Sequence, residues 1–410
     1  MTELRSDTQR WLRIAFINLL IVSILGVLMR YKIAFSFRFM DQKNIMNAHS
    51  HFAFAGWISQ ALMILMVNYL GNQTKGNIFK KYSWIFIANL VCAYGMLFSF
   101  PWQGYNTISI TFSTLSIFVS YAFAFLFWKD LIILKIKSIT HYWFFAALIF
   151  SVISSGGPFF LSYMMYTDGG HPNLFLIALY YFLHFQYNGW FFFACVGLFS
   201  IYFVPAQVPD KIQKLIFGLF AAACIPAYFL SVLWLNVTLT GYIMVVLAAL
   251  AQVAGGFLII YWVIKKRDFI LQVSDRKGRL ILGLAAVALC IKLFLQAAST
   301  IPSLSTFAFG FRPIVIGYLH LVLLGIITLF IIGYSVMNKF LITNRLGDTG
   351  IFIFISGIIL NELLLMIQGI SYMGYVNIPW INELLLGAAI CMSSGILFLN
   401  IGIRLSKSKE

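Results

Sequence analysis

Long apolar runs recur along the whole of this 410-residue chain and constrain its fold more than any other feature. Hydrophobic residues make up 61% of the sequence, charged residues only 10%, and the mean hydropathy is +0.92. A soluble domain does not carry so few charges, whereas a run of about 20 apolar residues is what an α-helix needs to cross a bilayer. The composition therefore predicts a polytopic membrane protein.

The same runs predict an all-α fold with about twelve transmembrane helices, which form a single transmembrane domain over residues 1–410. Their continuity excludes a transmembrane β-barrel, because barrel strands alternate between apolar and polar residues over about ten positions. The twelve predicted spans cover residues 12–29, 45–70, 82–100, 107–128, 141–163, 172–203, 213–235, 239–264, 279–298, 313–338, 350–370 and 380–403.

The basic residues predict which side of the membrane each loop faces. A net charge of +16 could indicate a nucleic-acid partner, but with a cytoplasmic N-terminus 22 of the 28 Lys and Arg residues fall in inner segments. This asymmetry follows the positive-inside rule. We therefore expect a multi-pass protein of the bacterial inner membrane, in contact with lipid, with both termini in the cytoplasm and no nucleic-acid partner. The other basic residues are Arg30, Lys32, Arg38, Lys43 and Arg312 in outer loops and Lys292 within a span.

Histidines in three predicted spans are the candidate metal ligands. His49 and His51 open the second span, His184 lies in the sixth and His320 in the tenth. Coordinating side chains inside a membrane are costly and usually functional. These spans all begin at the outer side, so their imidazoles lie in the outer half of the bilayer, with His184 somewhat deeper. Two imidazoles from two helices are what a six-coordinate haem iron needs.

A shared spacing selects His51 and His320 as the preferred pair. Each precedes a glycine by five residues, Gly56 and Gly325, and glycine allows a flat macrocycle or a neighbouring helix to approach closely. Positions i and i+2 lie about 200° apart around a helix, so at most one of His49 and His51 faces a given haem. His49 could instead bond to a propionate or to a group beside the ligand.

Each of these histidines also has a structural alternative. His49 and His51 could form the polar start of a helix near the membrane interface. His320 could be a buried histidine that bonds to a backbone carbonyl group, because an imidazole without a partner is costly among apolar residues. His184 could belong to an ordinary polar network with the polar residues 186–188.

Two stretches of the sequence resemble subunit I of the haem-copper oxidase superfamily, which includes terminal oxidases and nitric oxide reductases. Residues 180–192 are similar to the sixth helix of the C-type oxidases. Residues 316–320, Ile-Gly-Tyr-Leu-His, are similar to the Ile-Gly-His-x-His motif of their tenth helix. The twelve predicted spans, the cytoplasmic termini and the histidines of the second, sixth and tenth spans match the plan of that subunit.

The resemblance implies a subunit I-like bundle with one low-spin b-type haem, ligated by His51 (or His49) and His320. His184 matches the histidine that binds the active-site copper. Family members complete the copper site with two histidines on the seventh helix, but no histidine occurs between His184 and His320, so copper is not expected. Tyr318 stands where the family has the histidine that binds the high-spin haem. We expect a retained low-spin site and a lost dioxygen-reducing centre.

These observations predict a haem-binding membrane protein that transfers electrons or binds a diatomic gas. Arg38, Lys43 and Arg312 flank the second and tenth spans on the outer side, where they could bind the haem propionates or, alternatively, lipid headgroups and water. The chain has no Cys-x-x-Cys-His motif for c-type haem, so an electron-donor protein or a quinol would reduce it, with or without additional membrane subunits.

Three alternatives to this function stay open. The first is residual oxidase or nitric oxide reductase activity at an unusual second site that involves His184 and Tyr318. The second is a twelve-helix transporter, which would be expected to carry buried charges near the membrane midplane in two related halves. The third is a cofactor-free assembly or copper-handling subunit.

Overall fold

The structure is a computed structural model of the whole chain. It describes residues 2–36, 39–74, 76–135, 138–167, 171–235 and 237–404. For residues 2 and 306–309 it describes only the backbone. Nearly all of the described residues are helical, and none of them forms a β-strand. An isolated antiparallel bridge pairs Thr343 with Ile403. In an α-helix the backbone N–H and C=O groups form hydrogen bonds with each other within one segment. A segment that is surrounded by lipid needs such internal hydrogen bonds, because lipid offers no partners. The predicted all-α class is confirmed.

Each predicted span corresponds to a helical segment, and we number these segments in chain order. They are α1 (Thr2–Phe35), α2 (Gln42–Gly71), α3 (Ile78–Gln103), α4 (Thr107–Ile133), α5 (Ile139–Tyr166), α6 (residues 172–200), α7 (Asp210–Cys224 and Pro226–Val232), α8 (Leu239–Lys265), α9 (Arg276–Ala298), α10 (Arg312–Met337), α11 (Arg345–Met373) and α12 (Ile381–Gly402). Short helices over Arg267–Val273 and Pro302–Gly310 lie before and after α9.

Most of these helices have the length and composition of membrane spans. Among the described residues, 10 helices are long and apolar enough to cross a membrane, and α7 makes an eleventh if its two parts, bent by 44°, form one span. The helical run of α6 is not among them, and it carries the polar stretch from His184 to Asn188. The multi-pass helical architecture is thus confirmed, whereas the number of twelve spans stays a prediction.

The chain forms two compact units. The first consists of Met1–Phe127 and Tyr334–Glu410, and the second of Trp128–Gly333. The first unit holds α1 to α3, most of α4, α11 and α12, and the second holds α5 to α9 and most of α10. The single transmembrane domain over residues 1–410 stays a prediction.

Helix α2 is central to the first unit. In its most apolar window, 78% of the residues are buried, against 17% for α4. Helix α4 therefore exposes most of its apolar surface, as a lipid-facing helix does, while α2 is enclosed by protein. His49 and His51 lie near the polar start of this helix and are half-buried.

Glycines bring α11 and α12 together at close range. A Cβ atom added to Gly395 would lie 2.5 Å from the backbone nitrogen of Phe354 and 2.8 Å from the carbonyl oxygen of Gly350. A Cβ atom added to Gly357 would lie 2.9 Å from the backbone nitrogen of Met392. Small residues allow membrane helices to approach until their backbones are in van der Waals contact, which is a major source of association in lipid.

We expect Gly395→Ala to destabilise the first unit by about 1–3 kcal/mol, because its methyl group overlaps backbone atoms that cannot move easily. Gly387→Ala on the same helix is the matched control, since an added Cβ there meets no atom within 4 Å. Thermal unfolding of both variants in detergent measures the difference. Equal midpoints for the two variants would contradict close packing at Gly395.

Candidate functional site

The His49 ring lies beside α1. Its Nδ1 atom is 3.1 Å from the carbonyl oxygen of Val22, and a Cβ atom added to Gly26 would lie 3.5 Å from the ring. A carbonyl oxygen only accepts hydrogen bonds, so Nδ1 carries the proton and Nε2 is the basic nitrogen. Within the part of the chain that the structure describes, we find no hydrogen-bond partner for Nε2 of His49. Metal-binding histidines commonly have their tautomer set in this way.

The His51 ring lies at the other side of α2. Its Nε2 atom is 2.9 Å from the hydroxyl group of Tyr105, and the ring stacks on Phe100 with 4.6 Å between the centroids. Tyr105 follows Gly104, whose φ of +60° favours glycine, in the loop between α3 and α4. Burial raises the pKa of the Tyr105 phenol, so its hydroxyl stays protonated at neutral pH. His49 and His51 therefore contact different neighbours, as expected for positions i and i+2.

His320 lies in α10 with its Nδ1 atom 2.8 Å from the carbonyl oxygen of Ile316, one turn earlier. This bond makes Nδ1 the protonated nitrogen, as in His49. Arg312 is the first residue of the same helix and its side chain is exposed. Tyr318 is half-buried, and its ring centroid is 6.4 Å from that of Tyr187 in α6. The second unit thus brings the tyrosine at the predicted high-spin position close to a tyrosine near His184.

His184 is buried, with 1% of its surface exposed, and both of its ring nitrogens are engaged. Nε2 donates to the carbonyl oxygen of Cys224 at 2.9 Å, and Nδ1 accepts from the amide group of Asn188 at 3.1 Å. The Cys224 carbonyl lacks its α-helical donor, because the Tyr228 N–H group bonds to Ile225 instead. His184 therefore completes the hydrogen bonding at the break in α7. A metal ion could bind His184 only by displacing one of these partners.

In each of the three helices with a candidate histidine, a π-helix begins directly after the histidine or two residues later. The π-helices are Ala53–Ser59 in α2, Phe185–Phe191 in α6 and Leu321–Thr328 in α10. The rest of the described chain contains no π-helix. This conformation accounts for well under about 1% of residues in proteins and is frequent at functional sites. The three helices also stand four apart in chain order.

Each π-helix contains a glycine five residues after the histidine. The glycines are Gly56, Gly189 and Gly325. Five residues is the hydrogen-bonding period of the π-helix, so the spacing and the backbone conformation agree. A Cβ atom added to Gly56 would lie 2.9 Å from the Phe52 ring, and one added to Gly189 would lie 2.6 Å from the Phe150 Cβ atom. Sequence reasoning recognised this spacing in α2 and α10 but missed it in α6.

Side-chain amides bond to the π-helix of α2. A π-helix shifts the hydrogen-bond register, so carbonyl groups beside it lose their α-helical donors. Asn18 donates to the carbonyl oxygen of Gly56 at 2.6 Å, and Asn89 donates to that of Ala55 at 2.9 Å and to Gln60 Oε1 at 2.8 Å. Both asparagines are buried in apolar helices. An asparagine inside an apolar run is rare, and this feature of the sequence could have identified Asn18 and Asn89 as hydrogen-bond donors to another helix.

The structure places the predicted ligands in different units. His49 and His51 belong to the first unit, and His184 and His320 to the second. A haem site that combines α2 with α10 therefore stays a prediction. Arg38 lies outside the described residues. Within the described residues, no three or more His, Cys, Asp or Glu side chains are grouped as in a metal site.

Comparison with known proteins adds no family assignment. A scan against protein-family models finds no match to this chain. A search of curated proteins finds no sequence that matches it. The candidate site is therefore defined by its own residues and geometry.

We expect Asn89→Leu to leave the carbonyl group of Ala55 and the side chain of Gln60 without this donor. An unpaired buried polar group costs about 1–3 kcal/mol. Ser83→Ala on the same helix is the control, because the Ser83 hydroxyl bonds within its own helix. Hydrogen exchange measured by mass spectrometry should increase over Ala53–Ser59 in Asn89→Leu alone. Unchanged exchange there would show that the amide does not stabilise the π-helix.

Proposed function

We propose that this chain is a haem-binding integral membrane protein related to subunit I of the haem-copper oxidases. It would hold one low-spin b-type haem between a histidine of α2, His51 or His49, and His320 of α10, and would transfer electrons or bind a diatomic gas. The observation that carries the proposal is the recurrence, in α2, α6 and α10, of a histidine, a π-helix and a glycine five residues after the histidine. Such a costly backbone irregularity, repeated beside one residue type, supports a functional use.

The chemistry of the donor groups fits a haem. His49 and His320 each direct Nδ1 at a backbone carbonyl oxygen, at 3.1 Å and 2.8 Å, so Nε2 carries the lone pair that haem iron requires. His51 would bind through Nε2 only after its bond to Tyr105 is broken. A bound haem would supply one-electron redox chemistry or a site for a diatomic gas. The protein would orient the ligands and keep water away from them.

Arginines of the outer loops would hold the propionates in this proposal. Arg312 precedes His320 by eight residues, which is about 12 Å along an α-helix, and its side chain is exposed. A guanidinium group forms paired charge-assisted bonds with a carboxylate. We propose the same role for Arg38. Electrons would come from a donor protein or a quinol, with or without further membrane subunits.

The proposed setting is the bacterial inner membrane, which the chain would cross twelve times with both termini in the cytoplasm. The helical segments α1 to α12 and the distribution of Lys and Arg support this topology. In this orientation α2, α6 and α10 all begin at the outer side. The candidate histidines then lie in the outer half of the membrane, which favours reduction from that side.

The geometry of His184 supports the loss of the second metal centre. Its two nitrogens are bonded to Cys224 and Asn188, so it offers no nitrogen to copper without rearrangement. We therefore do not propose a copper cofactor. Residual oxidase or nitric oxide reductase activity would depend on Tyr318, which lies beside Tyr187 in the same unit.

An optical spectrum of the purified protein tests the proposal. We expect one haem per chain and sharp low-spin bands after dithionite reduction. An electron-transfer haem with both axial positions occupied should show no shift on addition of carbon monoxide, whereas a shift with one haem per chain would show that a diatomic gas replaces one histidine. Two haems or copper would instead support a retained catalytic centre. A colourless protein would contradict haem binding and would favour the transporter or the assembly subunit.

We expect His320→Ala to lose the low-spin haem while the membrane fold is kept, because no other side chain of α10 offers an imidazole. His184→Gln is the control, since it keeps an amide donor for the Cys224 carbonyl and should leave the spectrum nearly unchanged. Haem content and the reduced spectrum are measured on both variants. A normal spectrum for His320→Ala would exclude His320 as a ligand.

A paired substitution distinguishes the two candidates of α2. We expect His51→Ala to lose the low-spin bands and His49→Ala to keep them, because His51 has the spacing to glycine that recurs in α6 and α10. The opposite result would make His49 the ligand, as its bond to Val22 allows. Retention of the bands in both single variants would exclude α2 as the source of a ligand.

A further inference from the structure

A cleft at one end of the first unit combines two arginines with apolar side chains. It lies where the first turns of α1 meet the segment before α11 and the end of α12. We call it the arginine cleft. Its lining includes Leu12, Arg13, Phe16, Leu341, Ile403 and Arg404.

Hydrogen bonds hold the walls of the arginine cleft in place. The backbone N–H group of Arg404 donates to the carbonyl oxygen of Ile342 at 2.8 Å, which ties the end of α12 to the segment before α11. The side chains of Arg5 and Gln9 donate to the carbonyl oxygen of Lys339, at 2.9 Å and 3.2 Å, and attach α1 to the same segment. These bonds fix the backbone on the sides of the cleft, while the side chains of Arg13 and Arg404 are exposed.

The two arginines of the cleft have exposed, positively charged side chains. Among the described residues, the guanidinium groups of Arg13 and Arg404 form no hydrogen bond and no ion pair. By contrast, Arg10, one turn before Arg13, lies 3.9 Å from the carboxylate of Asp7. Two cations that line one small cleft attract an anion to it.

Both arginines lie at a boundary between charged and apolar sequence. Arg13 directly precedes the apolar residues 14–29 of α1, and Arg404 follows α12, which ends at Gly402. In the predicted topology this boundary is on the cytoplasmic side. Lipid phosphates lie at this level of a membrane, and the cytoplasmic leaflet attracts basic residues through its anionic lipids.

We propose that the arginine cleft binds the phosphate group of an anionic phospholipid. The guanidinium groups of Arg13 and Arg404 would bond to the phosphate oxygens, because a guanidinium presents its N–H donors in a fork that matches phosphate. A zwitterionic lipid would bring a choline cation towards the two arginines and would bind less well. This site does not depend on haem binding.

Native mass spectrometry of the full-length detergent-purified protein tests the site, with phosphatidylglycerol and phosphatidylcholine supplied together. The wild type should retain phosphatidylglycerol in preference. Each basic residue near an anionic headgroup contributes about a fivefold gain in affinity, so Arg13→Gln combined with Arg404→Gln should lower phosphatidylglycerol binding by about 25-fold. Arg10→Gln is the matched control and should retain the preference. Substituting both cleft arginines by lysine should preserve most of it.

Several results would overturn the proposal. The first is that the wild type retains phosphatidylglycerol and phosphatidylcholine equally. The second is that the double glutamine variant binds phosphatidylglycerol as well as the wild type does. The third is that this variant and Arg10→Gln lose phosphatidylglycerol binding to the same extent. Displacement of phosphatidylglycerol by excess inorganic phosphate would identify a site for free phosphate instead. If the double glutamine variant does not fold, thermal unfolding of the wild type decides the question. Phosphatidylglycerol must then raise the midpoint more than phosphatidylcholine does.

Discussion

The structure depends on one constraint, the need to pair every backbone polar group inside apolar helices. Regular α-helices meet it without help, but π-helices and helix breaks do not. In α2, Asn18 and Asn89 bond to the carbonyl groups of the π-helix, and in α6 His184 bonds to the Cys224 carbonyl at the break in α7. Side chains that are costly in a membrane thus lie where the backbone needs them. These partners complete the hydrogen bonding at the π-helix of α2 and at the break in α7.

The same bonds separate two uses of histidine. His184 uses both ring nitrogens within the protein, which makes it a structural residue in this conformation. His49 and His320 use Nδ1 against a carbonyl oxygen, which sets the tautomer with a basic Nε2. The backbone thus fixes the tautomer of His49 and of His320, whereas His184 bonds to the backbone through one nitrogen and to Asn188 through the other. The π-helix beside each histidine is the feature that the two uses share.

Sequence reasoning predicted the helices well because apolar run length is a local property. The predicted span 239–264 corresponds to Leu239–Lys265, and 45–70 to Gln42–Gly71. It did not predict the π-helices, the division into two units or the hydrogen bonds of Asn18 and Asn89. Run length is insensitive to a shift of one residue in the backbone register, and the asparagine partners lie 29 or more residues away in sequence. The glycine spacing after His184 was visible and was overlooked.

By itself the sequence determined the membrane class, the helical segments, the asymmetry of basic residues and the three spacings from histidine to glycine. Each of these follows from residue type and order along one segment. Only the tertiary structure decided which nitrogen of each histidine is engaged and that Arg13 and Arg404, 391 residues apart, line one cleft. Composition and period describe a single helix, whereas a hydrogen-bond partner or a cleft exists only when packing brings distant helices together.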